Sequence, residues 1–298
     1  MVRGASKWIC GESGEWKKID DTVIRSNPDE AYLPRCRPRC GERLVKDPAT
    51  EPLISGGKLV AKIGGWPWMV FIDFKDDRRK NHFPNLFYSK VERLEQVQHD
   101  PIDVWLGLQD RYNDNFNFTQ KLQAVPNKRS LAAEYGFSST HDGDIAVLKL
   151  NKPAKLSYYV HPICIPRSPS EKQPQQQYYR DYKNAIVIGW GKTESENYSQ
   201  HLLKTRVGIK NHDVCVQRYR DVGIITENMI CAGFDHSAND ACKGDAGGPL
   251  MTKSPRNIWY LSGVVSFGDS NACGYAGLSG VYTDVGKYSE FIESQMED

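Results

Sequence analysis

The chain has 298 residues, 39% of them hydrophobic and 26% charged, with 39 Lys and Arg against 37 Asp and Glu for a net charge of +2. That balance argues against nucleic acid as the main partner, which would call for a clear basic excess, and the composition excludes a disordered chain. No apolar run approaches the roughly 18 residues of a membrane span, and 25 Gly with 16 Pro interrupt the chain too often for long helical bundles. Residues 1–53 hold three of the eight cysteines and show little hydrophobic periodicity. From Ile54 onward, short apolar runs predict strands at Trp68–Ile72, Val104–Leu106, Ile145–Leu148, Ala185–Ile188 and Trp259–Leu261. Each is closed by Gly, Asn, Asp or Pro, the pattern of an antiparallel sandwich or barrel. Between the first two, Pro84–Asp103 departs from it: Leu86, Phe87, Val91, Leu94 and Val97 recur at helical spacing, so a surface helix or loop insertion is expected. Residues 171–183, EKQPQQQYYRDYK, read as a solvated loop. Val285, Tyr288, Phe291 and Ile292 predict one C-terminal helix over Gly286–Asp298.

Cys10, Cys36, Cys40, Cys164, Cys215, Cys231, Cys242 and Cys273 contain no Cys-x-x-Cys pair and no accompanying histidine cluster, so neither a metal nor a cofactor is expected. Widely spaced cysteines in even number fit disulfides in an oxidising compartment. The sequons Asn117-Phe118-Thr119 and Asn197-Tyr198-Ser199 agree with a secreted, extracellular glycoprotein. Met1-Val2-Arg3-Gly4 lacks the apolar stretch of a signal peptide, so the sequence is expected to be a piece of a larger secreted protein.

The most informative segment is Asp240-Ala241-Cys242-Lys243-Gly244-Asp245-Ala246-Gly247-Gly248-Pro249-Leu250. Ahead of it come Ile54-Ser55-Gly56-Gly57, Gly65-Trp66-Pro67-Trp68, Asp144-Ile145-Ala146-Val147-Leu148, Gly189-Trp190-Gly191 and Met229-Ile230-Cys231-Ala232-Gly233. Ser266-Phe267-Gly268 and Gly280-Val281-Tyr282 follow it. In this order the set resembles the trypsin-like serine proteases from Ile54 to the C-terminus. The resemblance implies an all-β fold of two six-stranded antiparallel barrels with a C-terminal helix, residues 54–298 forming the protease domain and residues 40–53 an activation linker. It implies that Asp144 orients the catalytic imidazole and that Gly244, with the amide of residue 246, forms the oxyanion hole. Asp240 would close a specificity pocket bounded by Ser266, Gly268 and Gly280, suited to Arg or Lys. Leu53–Ile54 would be the activation bond, cut by an upstream protease, and Asp245 the partner of the freed Ile54 amine. The implied disulfides are Cys40–Cys164, Cys215–Cys231 and Cys242–Cys273. Trp8-Ile9-Cys10, Gly14-Glu15-Trp16 and Leu33-Pro34-Arg35-Cys36 resemble the last half of a Sushi module over residues 1–39, as in modular immune and clotting-cascade proteases, an analogy at the level of fold.

Two departures bear on function. Ala246 stands where the nucleophilic serine belongs. The family's C-G-G-S-L-I strand and T-A-A-H-C histidine loop have no counterpart; His82-Phe83 resembles the residues before them, Val104-Trp105-Leu106-Gly107 the strand after, and Pro84–Asp103 lies between. The first barrel is therefore expected to be incomplete. His99, alone in that segment, lacks the small neighbours of the catalytic imidazole and reads as solvated, and His141, His161, His201, His212 and His236 stand in contexts the family does not use for catalysis. Three readings stay open. One is a pseudoprotease that binds proteins with exposed Arg or Lys and regulates a proteolytic cascade. Another is an inactivated or segment-lacking form of an active trypsin-like zymogen. The third is an adhesive module that does not use the pocket, which the retention of Asp240, Gly244, Gly268 and Gly280 disfavours.

Overall fold

The computed structural model describes residues 40–43, 45, 59–74, 102–114, 116–133, 140–166, 184–193, 198–234, 240–268 and 278–296, together with the backbone of 8–10 and 16–18. Thirteen strands run through them. They are β1 (Trp8–Cys10), β2 (Trp16–Lys18), β3 (Leu59–Val60), β4 (Val70–Phe74), β5 (Ile102–Leu106), β6 (Gln120–Leu131) and β7 (Ala146–Leu150), followed by β8 (Asn184–Gly189), β9 (Leu203–Gly208), β10 (Met229–Ala232), β11 (Pro249–Lys253), β12 (Trp259–Phe267) and β13 (Gly280–Asp284). All pairings are antiparallel: β1 with β2, a four-stranded sheet in the order β4-β5-β6-β7, and a seven-stranded sheet in the order β10-β13-β12-β11-β8-β9-β3. The two larger sheets form the halves of the expected double barrel, with seven and four described strands in place of six and six.

Each predicted strand corresponds to an observed one, displaced by a residue or two and longer in β12. The run in β8 works because Ala185, Ile186, Val187 and Ile188 are all buried, each face of the strand meeting apolar neighbours. In β5 every second residue faces one core: Ile102, Val104 and Leu106 join Ala124 and Val160 in the core of the smaller sheet. Ile102 and Asp103 thus correct the boundary of the expected insertion, since both belong to β5 and pair with Phe74 and Asp73. Asp103 is tolerated at 1% exposure because Lys121 lies 3.0 Å from Oδ2 and Gln123 donates to Oδ1 at 3.0 Å. Residues 84–101, with His99, and the loop 171–183 lie outside the described residues.

Where the two sheets meet, Trp66, Met69 and Phe71 pack with Ile186, Ile188, Trp190, Met251 and Trp259 in one cluster. Trp190 is fully buried, meets Phe71 edge-on at 5.6 Å, and donates its indole N–H to the Gln109 carbonyl at 3.2 Å. The chain closes on a 3-10 turn (Val285–Tyr288), capped by the Asp284 carboxylate accepting from Gly286 N, and on a short helix, Ser289–Ser294, which we call α2. The expected C-terminal helix is therefore present, with a tighter first turn. An earlier helix, α1 (His212–Tyr219), starts at Asn211, whose side chain accepts from Asp213 N at 2.8 Å. Disulfides join Cys40 to Cys164 and Cys215 to Cys231; Cys242 is also disulfide-bonded, and Cys273 lies outside the described residues.

Candidate functional site

The site lies where the loop before β7 meets β12, β13 and the turn-rich segment 240–248. Asp144 is 2% exposed, and its Oδ2 accepts the Ser266 hydroxyl at 2.6 Å. Its carbonyl accepts Thr283 Oγ1 at 2.9 Å, so the loop that leads into the smaller sheet is held by two strands of the larger. A buried carboxylate is costly unless donors surround it, and a hydroxyl at this distance is a charge-assisted bond. Asp142, which the sequence reading passed over, steadies the same loop by accepting from Thr226 Oγ1 at 2.6 Å and Asn228 Nδ2 at 3.2 Å. His141 beside it adopts a left-handed conformation, φ 61°, and its ring lies 5.2 Å from that of Phe267. The other described histidines are placed elsewhere: His201 Nδ1 is 3.8 Å from Asp110, His212 Nε2 is 3.1 Å from Glu227, and His161 donates its backbone N–H to Pro67.

Asp240 is 7% exposed at the start of its segment. Its carboxylate accepts the amides of Ala241 at 2.7 Å and Gly280 at 3.1 Å, with the Tyr282 hydroxyl at 3.5 Å. Gly280 has to be glycine here, because a Cβ would stand 2.6 Å from Asp240 Oδ1. At Gly268, by contrast, the nearest atom a Cβ would meet among the described residues is the Gly280 Cα, at an ordinary 3.8 Å, so the two glycines lie side by side. Burial, and then the negative charge of Asp240, hold the Tyr282 hydroxyl well above the usual tyrosine pKa. The structure thus brings Asp240, Gly268 and Gly280 together, with Ser266 two residues away on β12.

Asp245 is 5% exposed, and its two oxygens accept the amides of Gly191 at 2.7 Å and Cys242 at 2.9 Å. The carboxylate fills the space where a side chain at Gly189 or Gly191 would go, which is the physical reason for Gly189-Trp190-Gly191. A pocket lined in part by Gly189, Gly191, Lys204 and Thr205 reaches both Asp240 and Asp245. Gly244, φ +98°, is left-handed, and a Cβ on it would stand 2.7 Å from the ring of Tyr198. Ala246 is partly buried and packs its methyl against a core that includes Val187, Val265 and Tyr282. Gly247, φ +80°, then turns the chain so that its amide donates to the Val265 carbonyl at 2.9 Å. Leu53, Ile54, Asn197 and Cys273 lie outside the described residues. Asn117 is exposed, on a turn closed by Thr119 N donating to Phe116 O at 2.9 Å.

Among the described residues no group of His, Cys, Asp and Glu could hold a metal ion, and no helix is long and apolar enough to cross a membrane. The trypsin family model matches residues 97–292. The chain is 32% identical over 290 residues to transmembrane protease serine 11E of Mus musculus, covering 95% of this chain and 62% of that protein. It is 41% identical over 180 residues to the CLIP domain-containing serine protease HP8 of Bombyx mori, covering 59% and 47%. It is 35% identical over 154 residues to phenoloxidase-activating factor 1 of Holotrichia diomphalia, covering 51% and 40%. The chain therefore spans only about half the length of these curated relatives. The family match takes in β5 to β13 and every residue of the Asp144, Asp240 and Asp245 clusters, so the chain belongs to the trypsin family of serine proteases.

Proposed function

We propose that the chain is a non-catalytic member of this family, a secreted binder of proteins that present Arg or Lys, acting as a regulator within a proteolytic cascade. One observation carries the reading. Position 246, within the bonded loop between Asp245 and Gly248, holds a methyl group, which has no lone pair with which to attack a carbonyl. Beside it stand Asp144, bonded to Ser266, and Asp240, which accepts the Gly280 amide, and both support the reading. In it the Asp240 carboxylate closes a pocket suited to a guanidinium or ammonium group. In the same reading Gly244 serves the oxyanion hole, Asp245 receives the Ile54 amine after cleavage at Leu53, residues 40–53 are the activation linker, and residues 1–39 are the end of a Sushi module. Cys242 pairs with Cys273, and Asn117 and Asn197 carry glycans. The name of the phenoloxidase-activating relative supports a place in an activation cascade.

The test is turnover and binding measured side by side. Purified protein cut at Leu53–Ile54 is expected to bind benzamidine, to lose that binding in Asp240→Ser, and to leave Arg and Lys peptide substrates intact. Without the triad, only about 10³–10⁴ of enhancement over water would remain. Ala246→Ser is expected to stay inactive, and substrate cleavage by that variant would overturn the reading. A second reading, an inactivated or segment-lacking form of an active protease, draws support from the Asp144–Ser266 bond. It places a buried carboxylate ready to orient an imidazole, which a binder does not require. Transcripts that encode a T-A-A-H-C segment and a serine at 246 would favour it.

A further inference from the structure

The turn that carries the sequon Asn117-Phe118-Thr119 is built on aromatic rings that the Asp144, Asp240 and Asp245 clusters do not use. Thr119 N donates to the Phe116 carbonyl at 2.9 Å, so Phe116-Asn117-Phe118-Thr119 closes one β-turn with exposed Asn117 at its second position. The rings on either side of Asn117 stack on each other, their centroids 5.2 Å apart and their planes 13° from parallel. Phe118 stacks in turn on Tyr159, at 4.0 Å and 17°. Tyr159 backs onto Gly64, where a Cβ would stand 2.9 Å from its ring. The stack thus starts against backbone at Gly64 and ends at Phe116. Among the described residues none of the three rings joins a hydrophobic core cluster, and Phe116 and Phe118 stay half-buried, with apolar area facing water beside Asn117. Thr119 adds a second sign. Its hydroxyl is buried with no hydrogen-bond partner among the described residues, and a buried hydroxyl left so costs stability. Hydrogen bonding in the fold gives no reason for threonine at 119, whereas a glycosylation sequon does.

We infer that the Phe116, Phe118 and Tyr159 stack is the seat of the first sugar of a glycan on Asn117, an N-acetylglucosamine that packs on Phe116 and clamps the turn. The inference rests on the reading that Asn117 is glycosylated. A pyranose presents one face of C–H groups with partial positive charge, and an aromatic ring presents a negative face. Their contact takes apolar area of both out of water, while the sugar hydroxyls stay solvated. The covalent link to the residue next to Phe116 already holds the sugar beside the ring, so little freedom is lost on contact. The sugar is then a structural part of the turn that leads into β6, and the outer sugars of the glycan are not needed for it.

The experiment uses the full chain secreted from a eukaryotic host that adds high-mannose glycans, with Asn197→Gln so that one sequon remains. Endoglycosidase H trims the glycan to a single N-acetylglucosamine on Asn117, which intact mass verifies. The thermal midpoint of the trimmed chain is expected to equal that of the untrimmed one and to lie about 2–4 °C above that of Asn117→Gln. Phe116→Leu keeps apolar bulk without the aromatic face and should remove most of that difference. Comparing it with and without the sugar separates the contact from the effect of the substitution itself. Should Phe116→Leu fail to fold, exchange of the Thr119 amide, which closes the turn, decides in its place: it should be severalfold slower with the sugar than in Asn117→Gln. Midpoint and Thr119 exchange unaltered by the sugar would overturn the inference, as would a difference fully kept in Phe116→Leu. So would a stabilisation lost on trimming, because the outer sugars would then be its source. A mass without any sugar would overturn the glycosylation reading together with the inference, so the two failures are told apart.

Discussion

At the scale of single residues, the buried acids of the site differ in what holds them. Asp240 and Asp245 each accept two backbone amides, whereas Asp144 accepts the side-chain hydroxyl of Ser266. Ser266→Ala is therefore expected to lower stability by about 1–3 kcal/mol, the cost of leaving a buried acceptor short of a partner, read from urea denaturation midpoints. Gly280→Ala should do more specific damage. Its new methyl meets the Asp240 oxygen and the Tyr282 ring, so benzamidine binding should fall by more than tenfold, with about 1–3 kcal/mol of overpacking. Tyr282 gives a pH dependence whose sign is fixed. Its folded-state pKa lies above the unfolded value near 10, so the unfolded chain loses the proton first. The associated stability is complete below about pH 10 and is lost as the pH rises through the folded-state value. Thermal melts of Tyr282→Phe should show a shallower alkaline decline than those of the parent chain. The sequence alone made Asp144, Asp240 and Asp245 legible because each sits in a short motif of fixed spacing. It could not show Asp142 or His141, whose partners Thr226, Asn228 and Phe267 lie far along the chain and carry no local pattern.

At the scale of elements, the short apolar runs Ala185–Ile188 and Trp259–Leu261 announced β8 and β12, while β6 went unread for a physical reason. Its twelve residues are mostly polar and contain Pro126, and the register slips between Ala124 and Arg129, so neither alternation nor an apolar run survives along it. Among its described side chains Ala124 is buried in the core and Leu122 packs against it. The helix α1 hid for a similar reason, burying just Cys215 and Tyr219. The strap 40–45 was legible through Cys40 alone, yet its anchorage is broader. Gly41 donates to the Pro162 carbonyl at 2.8 Å, its own carbonyl accepts from Trp259 N at 2.9 Å, and Arg43 lies 4.4 Å from the Trp66 ring and 4.9 Å from that of Trp259. Two ring faces and the disulfide act on the same few residues, so the strap should remain in place with the disulfide removed. In a Cys40→Ser, Cys164→Ser chain cut at Leu53–Ile54, the N-terminal piece is expected to co-elute with the remainder on gel filtration. Adding Arg43→Ala should release it, since about 1–2 kcal/mol of cation–π attraction is lost. Release without the Arg43 change would show that the disulfide alone holds the strap.

At the scale of the molecule, the two sheets are held unequally. In the larger sheet β8 lies between β11 and β9, and β12 between β13 and β11, so their amides and carbonyls are paired on both edges. Both strands are also lined by fully buried neighbours such as Leu250, Met251, Val207 and Val281. Opening either strand would expose the core of that sheet, so exchange of its amides should require an opening close to global unfolding. In the smaller sheet β4 and β7 are the outer members of the four described strands, whereas β5 is paired on both sides. In the proposed reading the segment that replaces the family's histidine-bearing stretch lies between β4 and β5 in sequence, ending before Ile102, where it would alter the support of β4. Hydrogen exchange followed by mass spectrometry should therefore find strong protection at Ala185–Ile188 and Trp259–Val265, intermediate protection at Ile102–Leu106, and faster exchange at Val70–Phe74. The order matters more than the absolute rates. Protection of Val70–Phe74 equal to that of Ala185–Ile188 would mean that the residues after Phe74 complete the first barrel after all. His99 would then return as a candidate partner for Asp144, and the inactivity expected of Ala246→Ser would have to be measured again with His99→Ala beside it.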